Sequence, residues 1–319
     1  MLVSMLKSHL PYRWQRRIDS GKHNRAVREI LDTPPIRPSQ DGLVLFSMIG
    51  TAVVLPYLVA VKSLWKQLRR GRIVILDDGT LTGPDKAILA RHCGDPEFID
   101  IASVRTGEFP TGGTWERLLT ILDRRSGEYW VQLDSDTVTI GPVPEVERAI
   151  QTNRSFTLLG GPDAEIGAIA LQNIAEQLYP DGPQDGHIQQ RVESRMGEMR
   201  ADLGWRYIRG CSGFTGFAAG NPGRKLAGGF LAEMERLVGS DDISIWGTEQ
   251  ITSSFVIANE VAPVLLPYDR YLNYWGNPWR DDAGFIHFVG THRYDNDAYA
   301  DESRKVIAAL QHEAGSMAA

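Results

Sequence analysis

Two carboxylates with one residue between them, Asp134 and Asp136, follow the apolar segment Tyr129–Leu133. The segment is rich in aromatic and β-branched residues, which is typical of a buried strand. Two like charges a few ångströms apart raise each other's pKa, and a hard divalent cation such as Mn²⁺ or Mg²⁺ removes that cost by binding both. The spacing therefore predicts a metal–diphosphate site at the end of a strand. The alternative is a solvated acidic turn.

Four other side chains have chemistry that suits such a site. Asp78 follows a second apolar segment, and Arg293 carries a guanidinium that can hold phosphate oxygens. Glu249 is a further carboxylate, although an acid in the first turn of a helix has a purely structural explanation. His287 offers an imidazole that can complete a Mn²⁺ site, although a lone histidine in a strand is usually a satisfied core group.

Length and composition limit the class of protein. The chain has 319 residues, with 42% hydrophobic and 23% charged residues, which is ordinary for a globular protein of one large domain or two small ones. Its net charge of -6 provides no basic field for nucleic acid. The two cysteines, Cys93 and Cys211, lack metal-ligand spacing, which excludes a disulfide framework and a zinc finger. They suit core positions in a reducing compartment, so we expect a cytoplasmic protein.

The uncharged segment 43–61 is long enough to suggest a membrane span. Gly50 and Pro56 interrupt it, however, and we predict a strand over 43–48, a turn, and a helix over about 52–68. Pro56 then lies near the helix start, where proline is tolerated.

Residues 1–40 are basic, with eight lysines and arginines against three acids, and the proline-rich segment 33–38 predicts a linker after them. Lys7 interrupts the first apolar run and no small-residue cleavage site follows, so no signal peptide is predicted. One interpretation is a helical extension packed on the domain. The other is a basic surface over residues 7–37 that touches anionic lipid, at the inner face of a membrane, or an acidic acceptor.

Segments typical of strands and helices alternate from residue 43 onward. The pattern predicts strands at 43–48, 72–76, 98–104 and 129–133, with helices at 52–68, 84–92 and 115–125. This alternation predicts an α/β fold with a mostly parallel central sheet and helices on both faces. Ligands of such sheets bind at the carboxyl ends of the strands, so Ser47, Asp78 and Asp134 are expected around one crevice.

The second half of the chain is less regular. The pattern predicts helices at 146–151, 164–200, 226–238, 249–259 and 301–313. The second of these is predicted to break at 179–183, and the fourth is predicted to have Thr248 as its N-cap. Strands are predicted at 156–159, 207–220, 261–267 and 285–289. Glycines in 207–220 suggest close approach of the backbone to a ligand or a bend in a core strand. No dinucleotide-binding glycine turn, P-loop or serine-hydrolase elbow is present.

The order of these segments resembles the GT-A glycosyltransferases, and it is most similar to glycosyltransferase family 8, which includes glycogenin and bacterial lipopolysaccharide galactosyltransferases. The matching positions, over residues 43 to 294, are Asp134-Ser135-Asp136, Ser212-Gly213, Glu249-Gln250, and His287-Phe288-Val289-Gly290 with Arg293. In this sequence Glu249 replaces the aspartate of an Asp-Gln pair, Arg293 replaces a lysine, and Tyr294-Asp295 replaces Pro-Trp.

The resemblance implies a GT-A domain at 41–297, after the basic extension 1–40 and before a C-terminal helix and tail at 298–319. It implies a metal-dependent transfer of a sugar from a nucleotide-diphosphate sugar, which the family resemblance favours as a UDP-sugar. The acceptor would be a hydroxyl of a glycan, a lipid-linked molecule or a small molecule. The implied role is bacterial polysaccharide or lipopolysaccharide synthesis. The implied metal ligands are Asp134, Asp136 and His287, with Mn²⁺ or Mg²⁺. The implied nucleotide-binding residues are Ser47, Ile49, Asp78, Ser135, Gly290 and Arg293.

The implied catalytic residues are Glu249, Asp163 and Gln250. In a retaining reaction Glu249 would face the sugar opposite the leaving group, as a nucleophile or as a stabiliser of the oxocarbenium-like state. In an inverting reaction Glu249 or Asp163 would be the general base. Gln250 and Asp163 would hold sugar hydroxyls. A sugar nucleotidyltransferase and a non-catalytic carbohydrate-binding or scaffold protein are the alternatives. The oligomeric state stays open, with a homo-oligomer as one option.

Overall fold

The central element of the fold is a seven-stranded sheet. The structure, a computed structural model, describes residues 11–220 and 223–318. The strands of this sheet are β1 (Leu43–Ile49), β2 (Arg72–Asp77), β3 (Glu97–Asp100), β4 (Tyr129–Leu133), β6 (Phe156–Leu159), β9 (Gly210–Phe217) and β10 (Val264–Leu265). They are arranged in the order β10-β6-β9-β4-β1-β2-β3. Only β9 is antiparallel to its neighbours, so the prediction of a mostly parallel sheet is confirmed.

The described helices surround this sheet. They are α1 (Tyr12–Ala26), α2 (Val54–Leu68), α3 (Gly83–Cys93), α4 (Trp115–Arg124), α5 (Pro144–Gln151), α6 (Leu171–Leu178), α7 (Ile188–Glu193), α8 (Arg224–Val238), α9 (Thr248–Ala258) and α10 (Ala298–Ala318). Successive side chains of β1 enter two hydrophobic cores, with Leu43 and Leu45 in one and Val44 and Phe46 in the other. A strand covered on both faces has an unbroken apolar sequence for this reason.

Segment 43–61 divides into β1 and the start of α2, as predicted. Most side chains of α2 are buried beneath the sheet, which accounts for its apolar composition. Among the described residues, no helix combines the length and apolarity that crossing a membrane requires.

A second, three-stranded sheet lies beside the end of β4. It consists of β11 (Tyr271–Asn273), β12 (Phe285–His287) and β5 (Thr137–Thr139), in the order β11-β12-β5. The two remaining described strands, β7 (Ile169–Ala170) and β8 (Arg206–Tyr207), pair with each other. β5 was not predicted. It pairs antiparallel with β12 and places Thr137 opposite His287. The pairing brings the end of the chain back to the Asp-Ser-Asp segment, which immediately precedes β5.

Several predicted boundaries were wrong. Residues 101–103 form a 3-10 turn instead of strand, because the Asp100 carboxylate accepts a hydrogen bond from the Ala102 amide. Within 164–200 only α6 and α7 are α-helical, and within 261–267 only β10 is a strand. Thr248 is not an N-cap: Gly247 occupies that position with φ 111°, and the Thr248 hydroxyl lies 3.0 Å from the Ile245 carbonyl oxygen.

The segment that follows α1 packs into the domain. Val27, Ile30 and Ile36 are buried in the same core as β1. Lys62 of α2 is also buried, and its Nζ lies 2.7 Å from the Thr33 hydroxyl. The basic surface predicted over residues 7–37 is described from residue 11 onward, and Lys7 lies outside the described residues.

Candidate active site

A cavity of about 620 Å³ lies where the carboxyl end of β4 meets β9, α9 and the three-stranded sheet. Eight of the residues singled out in the sequence line it together: Asp134, Asp136, Asp163, Glu249, Gln250, His287, Gly290 and Arg293. They come from distant parts of the sequence, so the fold assembles a single polar site from them.

Asp134, Asp136 and His287 form a group with the donor atoms of a metal site. One ligand atom from each lies within 4.8 Å of the others, and His287 Nε2 is 3.4 Å from Asp136 Oδ1. His287 Nδ1 lies 2.9 Å from Asn273 Oδ1. A divalent ion would displace the proton on Nε2, while the proton on Nδ1 is donated to this amide oxygen. Two carboxylates and a neutral imidazole fit Mn²⁺ or Mg²⁺.

The backbone beneath His287 has no room for a side chain. A Cβ atom at Gly213 of β9 would lie 2.2 Å from His287 Cε1. The imidazole therefore packs directly on the strand backbone, and this close approach explains one of the glycines noted in the sequence.

Positive groups flank the two carboxylates. Arg293 donates from Nη2 to Asp136 Oδ2 and from Nε to the Phe288 carbonyl oxygen, at 3.0 Å in the latter contact. Burial alone would raise the pKa of Asp136, but His287 and Arg293 outweigh it and hold that pKa well below its usual value. Gly290, with φ +54°, begins the turn that carries Arg293.

Arg117 of α4 joins the metal group to the catalytic candidate. Its Nη1 lies 2.5 Å from Asp134 Oδ1, and its Nη2 lies 3.0 Å from Glu249 Oε2 and 2.9 Å from the Ser212 hydroxyl. The side chain is 6% exposed. Sequence analysis missed it, because an arginine in an amphipathic helix gives no sign of burial until its partners are known.

Glu249 is almost fully buried at the start of α9. The Thr114 hydroxyl lies 3.0 Å from Oε2, whereas Oε1 has no hydrogen-bond partner among the described residues. Burial raises the pKa of Glu249, against the opposing effect of Arg117. The side chain is therefore fixed through Oε2, and Oε1 is a buried oxygen whose missing partner a bound ligand or water would have to supply.

Another part of the cavity wall carries polar groups that can bind hydroxyls. Gln250 accepts from the Ser212 amide at 3.2 Å and donates to Gln189 at 3.2 Å. Asp163 is 2.7 Å from Arg209 Nη1, and its side chain is 62% exposed. Buried Glu193 also holds this wall in place, because its carboxylate accepts from Gln189 at 2.7 Å.

Four residues singled out in the sequence do not line the cavity. The hydroxyl of Ser47 donates to the Leu133 carbonyl oxygen at 2.6 Å, and Ile49 is 2% exposed. Asp78 is exposed at the end of β2 and accepts from the Thr80 amide at 2.9 Å. The carbonyl oxygen of Ser135 accepts from the Tyr299 hydroxyl at 3.0 Å.

Two exposed tryptophans also line the cavity. Trp246 is 67% exposed, and Trp275 is 47% exposed. Trp275 lies in the aromatic-rich segment 271–279, whereas the sequence around Trp246 has no such enrichment. Large apolar rings left in solvent beside a polar cavity are typical of a binding surface.

No family model matches the sequence, and no curated protein matches it. Solved structures do match the fold. The glycosyltransferase GlyE of Streptococcus pneumoniae superposes with a TM-score of 0.53 and 10% identity, over 88% of this chain and 64% of GlyE. The chain has the GT-A fold. The galactosyltransferase LgtC, solved with donor and acceptor sugar analogs, matches with a TM-score of 0.48 and 12% identity, over 84% of this chain and 96% of LgtC.

Within this GT-A fold the cavity combines three chemical elements. A carboxylate–imidazole group can bind a divalent ion, two arginines can neutralise further anionic charge, and a buried carboxylate has a free oxygen. Together these groups suit a ligand that carries both a diphosphate and a sugar.

Proposed function

We propose that this protein is a metal-dependent glycosyltransferase that moves a sugar from a UDP-sugar to a hydroxyl of a glycan acceptor. The observation that carries the proposal is the group of Asp134, Asp136 and His287 in the cavity wall, at the carboxyl end of β4. Acid pairs at this edge of a parallel sheet are placed where such folds bind their ligands.

Asp134, Asp136 and His287 would hold Mn²⁺, since an imidazole ligand favours Mn²⁺ over Mg²⁺. When bound, the ion would stabilise the negative charge that develops on the leaving diphosphate. Arg293 would release Asp136 to the ion and contact the diphosphate oxygens instead. The guanidinium of Arg117 would hold the carboxylates of Asp134 and Glu249 in place by contacting both.

Glu249 would contact the transferred sugar on the face opposite the leaving diphosphate, as a retaining reaction requires. The hydrogen bonds to Oε2 from Arg117 and Thr114 support this assignment, because they fix the side chain and leave Oε1 unpaired. Gln250 and Asp163 would hold sugar hydroxyls.

The nucleoside would lie along the carboxyl ends of β1 and β2, with Asp78 as acceptor for the base or ribose and with Ser47, Ile49, Ser135 and Gly290 around it. The two strands pair in parallel, with Ile49 opposite Asp77, so their ends share one edge of the sheet. The glycan acceptor would stack on Trp246 or Trp275, because sugar rings present C–H faces that pack on indoles.

The test is nucleotide release from UDP-, GDP- and dTDP-sugars, with Mn²⁺ or with EDTA. We expect one donor to be cleaved only with Mn²⁺, and Asp134→Ala and Asp136→Ala to lower the rate at least about 100-fold. Asp202→Ala, a matched change at an exposed acid that pairs with Arg200, should behave like the wild type.

Wild-type release by a folded Asp136→Ala protein would refute the metal assignment. An enzyme that needs its acceptor for any turnover would release no nucleotide in this assay. Calorimetry then measures whether a nucleoside diphosphate binds. If no donor is cleaved and no nucleoside diphosphate binds in the presence of Mn²⁺, the protein is not a transferase of this kind.

A further inference from the structure

Six of the seven exposed side chains of α1 lie on one side of the helix, and Tyr12, in its first turn, lies outside this group. Arg13, Trp14, Arg17, Ile18, Lys22 and Arg25 are all exposed, and a rotation of about 100° per residue places them within about half of the circumference. We call these six residues the α1 outer face.

The α1 outer face combines cations with exposed apolar side chains. It carries four cationic residues and no acid, on a chain whose net charge is -6. Trp14 is 50% exposed and Ile18 is 38% exposed, and their i, i+4 spacing makes them neighbours on the helix surface. An exposed tryptophan between arginines does not stabilise a monomeric globular domain, so this composition indicates a surface that binds a partner.

The other side of α1 is fixed to the domain. His23 is 3% exposed, and its ring stacks on Tyr299 of α10 with centroids 3.8 Å apart. The Tyr299 hydroxyl in turn donates to the carbonyl oxygen of Ser135, between the two aspartates of the candidate metal group. The α1 outer face therefore has a defined orientation relative to the cavity.

We propose that the α1 outer face docks on an anionic lipid membrane. The four cations would contact acidic headgroups, and Trp14 and Ile18 would enter the interface between headgroups and acyl chains. A nucleic acid or a soluble acidic polysaccharide would use the cations but would leave both apolar side chains in water, so the combination favours lipid. The proposal does not depend on the sugar-transfer reaction.

The test is co-sedimentation of the full chain with phosphatidylcholine vesicles that do or do not contain phosphatidylglycerol. Two variants alter the face, Arg13→Glu with Arg17→Glu, and Trp14→Ala with Ile18→Ala. Their matched controls are Arg200→Glu with Arg236→Glu, which reverses two exposed arginines elsewhere, and Trp246→Ala. Circular dichroism confirms that each variant is folded.

We expect the wild type and the controls to bind only the phosphatidylglycerol vesicles, with binding that weakens as salt is raised. Each face variant should lose at least about tenfold in partition coefficient. Brominated lipid should quench wild-type fluorescence, and Trp14→Phe but not Trp246→Phe should lose this quenching.

The proposal is overturned if the wild type does not bind these vesicles, or if either face variant binds as the wild type does. Quenching that survives Trp14→Phe would also overturn it. A short DNA duplex tests the other polyanion class: DNA binding through this face without vesicle binding would refute the lipid assignment.

Discussion

Nη2 of Arg117 lies 3.0 Å from Oε2 of Glu249, in a wall where both side chains are buried. The same guanidinium contacts Asp134 through Nη1. One guanidinium therefore contacts a candidate metal ligand and the candidate catalytic carboxylate at once.

Arg117→Met should lower the free energy of unfolding by about 3 kcal/mol, because it leaves Glu249 buried without its counter-charge. Arg124→Met, on the same helix but in a half-exposed pair with Glu97, should cost less than about 1 kcal/mol. Urea denaturation measures both values. If the two variants lose the same free energy of unfolding, the buried contact contributes no more to stability than the half-exposed one.

Glu249→Gln should lower sugar transfer or donor hydrolysis at least about 100-fold, since the amide lacks the charge that stabilises the reacting sugar. Affinity for nucleoside diphosphate with Mn²⁺ should stay within about threefold, because Glu249 is not in the metal group. Steady-state kinetics and calorimetry measure the two quantities. Glu235 is an exposed acid on α8, and Glu235→Gln is the control. Wild-type turnover in Glu249→Gln would show that Glu249 takes no part in the reaction.

Asn273→Ala should weaken Mn²⁺ binding about 10- to 100-fold, because the amide oxygen near His287 Nδ1 orients the imidazole. Calorimetric titration with Mn²⁺ in the presence of nucleoside diphosphate tests this effect. Asn173→Ala, an exposed asparagine on α6, provides the comparison. Equal Mn²⁺ affinity in both variants would show that the amide does not position the ligand.

Gly213→Ala should abolish Mn²⁺ binding, because its Cβ would lie 2.2 Å from a carbon of the His287 ring. The ring cannot retreat without losing its contact with Asn273. Gly127→Ala places a Cβ in open space and should change neither metal affinity nor melting temperature. Metal titration and thermal melts of both variants measure the outcome, and retained Mn²⁺ affinity in Gly213→Ala would contradict the proposed position of the imidazole.

His23→Phe should reduce the acid sensitivity of folding. Burial, with smaller effects of Arg293 and Arg304, lowers the pKa of His23 to about 4 from 6.5. Between these values the unfolded chain binds a proton that the folded chain does not, so stability falls as pH falls from 6.5 towards 4. Phenylalanine keeps the stacking on Tyr299 and removes this linkage.

Urea titrations of the wild type and His23→Phe at pH 7 and pH 5 measure this difference. The free energy of unfolding of the variant should decline less between the two pH values. Neither nitrogen of His23 has a hydrogen-bond partner among the described residues, so the variant should also be at least as stable as the wild type at pH 7. An equal decline in both proteins would contradict the shifted pKa.

The alternation of β1, α2, β2 and α3 was predictable from sequence because each strand is covered on both faces and each boundary has a turn signal. β5 was not predictable in the same way. It has three residues, lies between an acidic turn and a glycine–proline pair, and exists only because β12 pairs with it. Tertiary pairing of this kind leaves no local pattern.

The residues of the candidate site also divide into those that were predictable from sequence and those that were not. Asp134, Asp136 and His287 were predictable as a group because their side chains have complementary metal chemistry. Arg117 was not, since its role depends on two partners from β4 and α9. Asp78 lies at the strand end that was predicted, but its separation from the cavity depends on tertiary packing and was not predictable.

The pairing of β5 with β12 has a consequence for variation among proteins that share this site. Asp136 precedes β5 and His287 ends β12, so the antiparallel register alone sets their distance. Insertions in 275–282 would lengthen a largely exposed connection and leave both ligands in place. One residue added within Phe285–His287 would turn the imidazole to the other face of the sheet. Evolution is therefore free to vary the connection but not the two short strands.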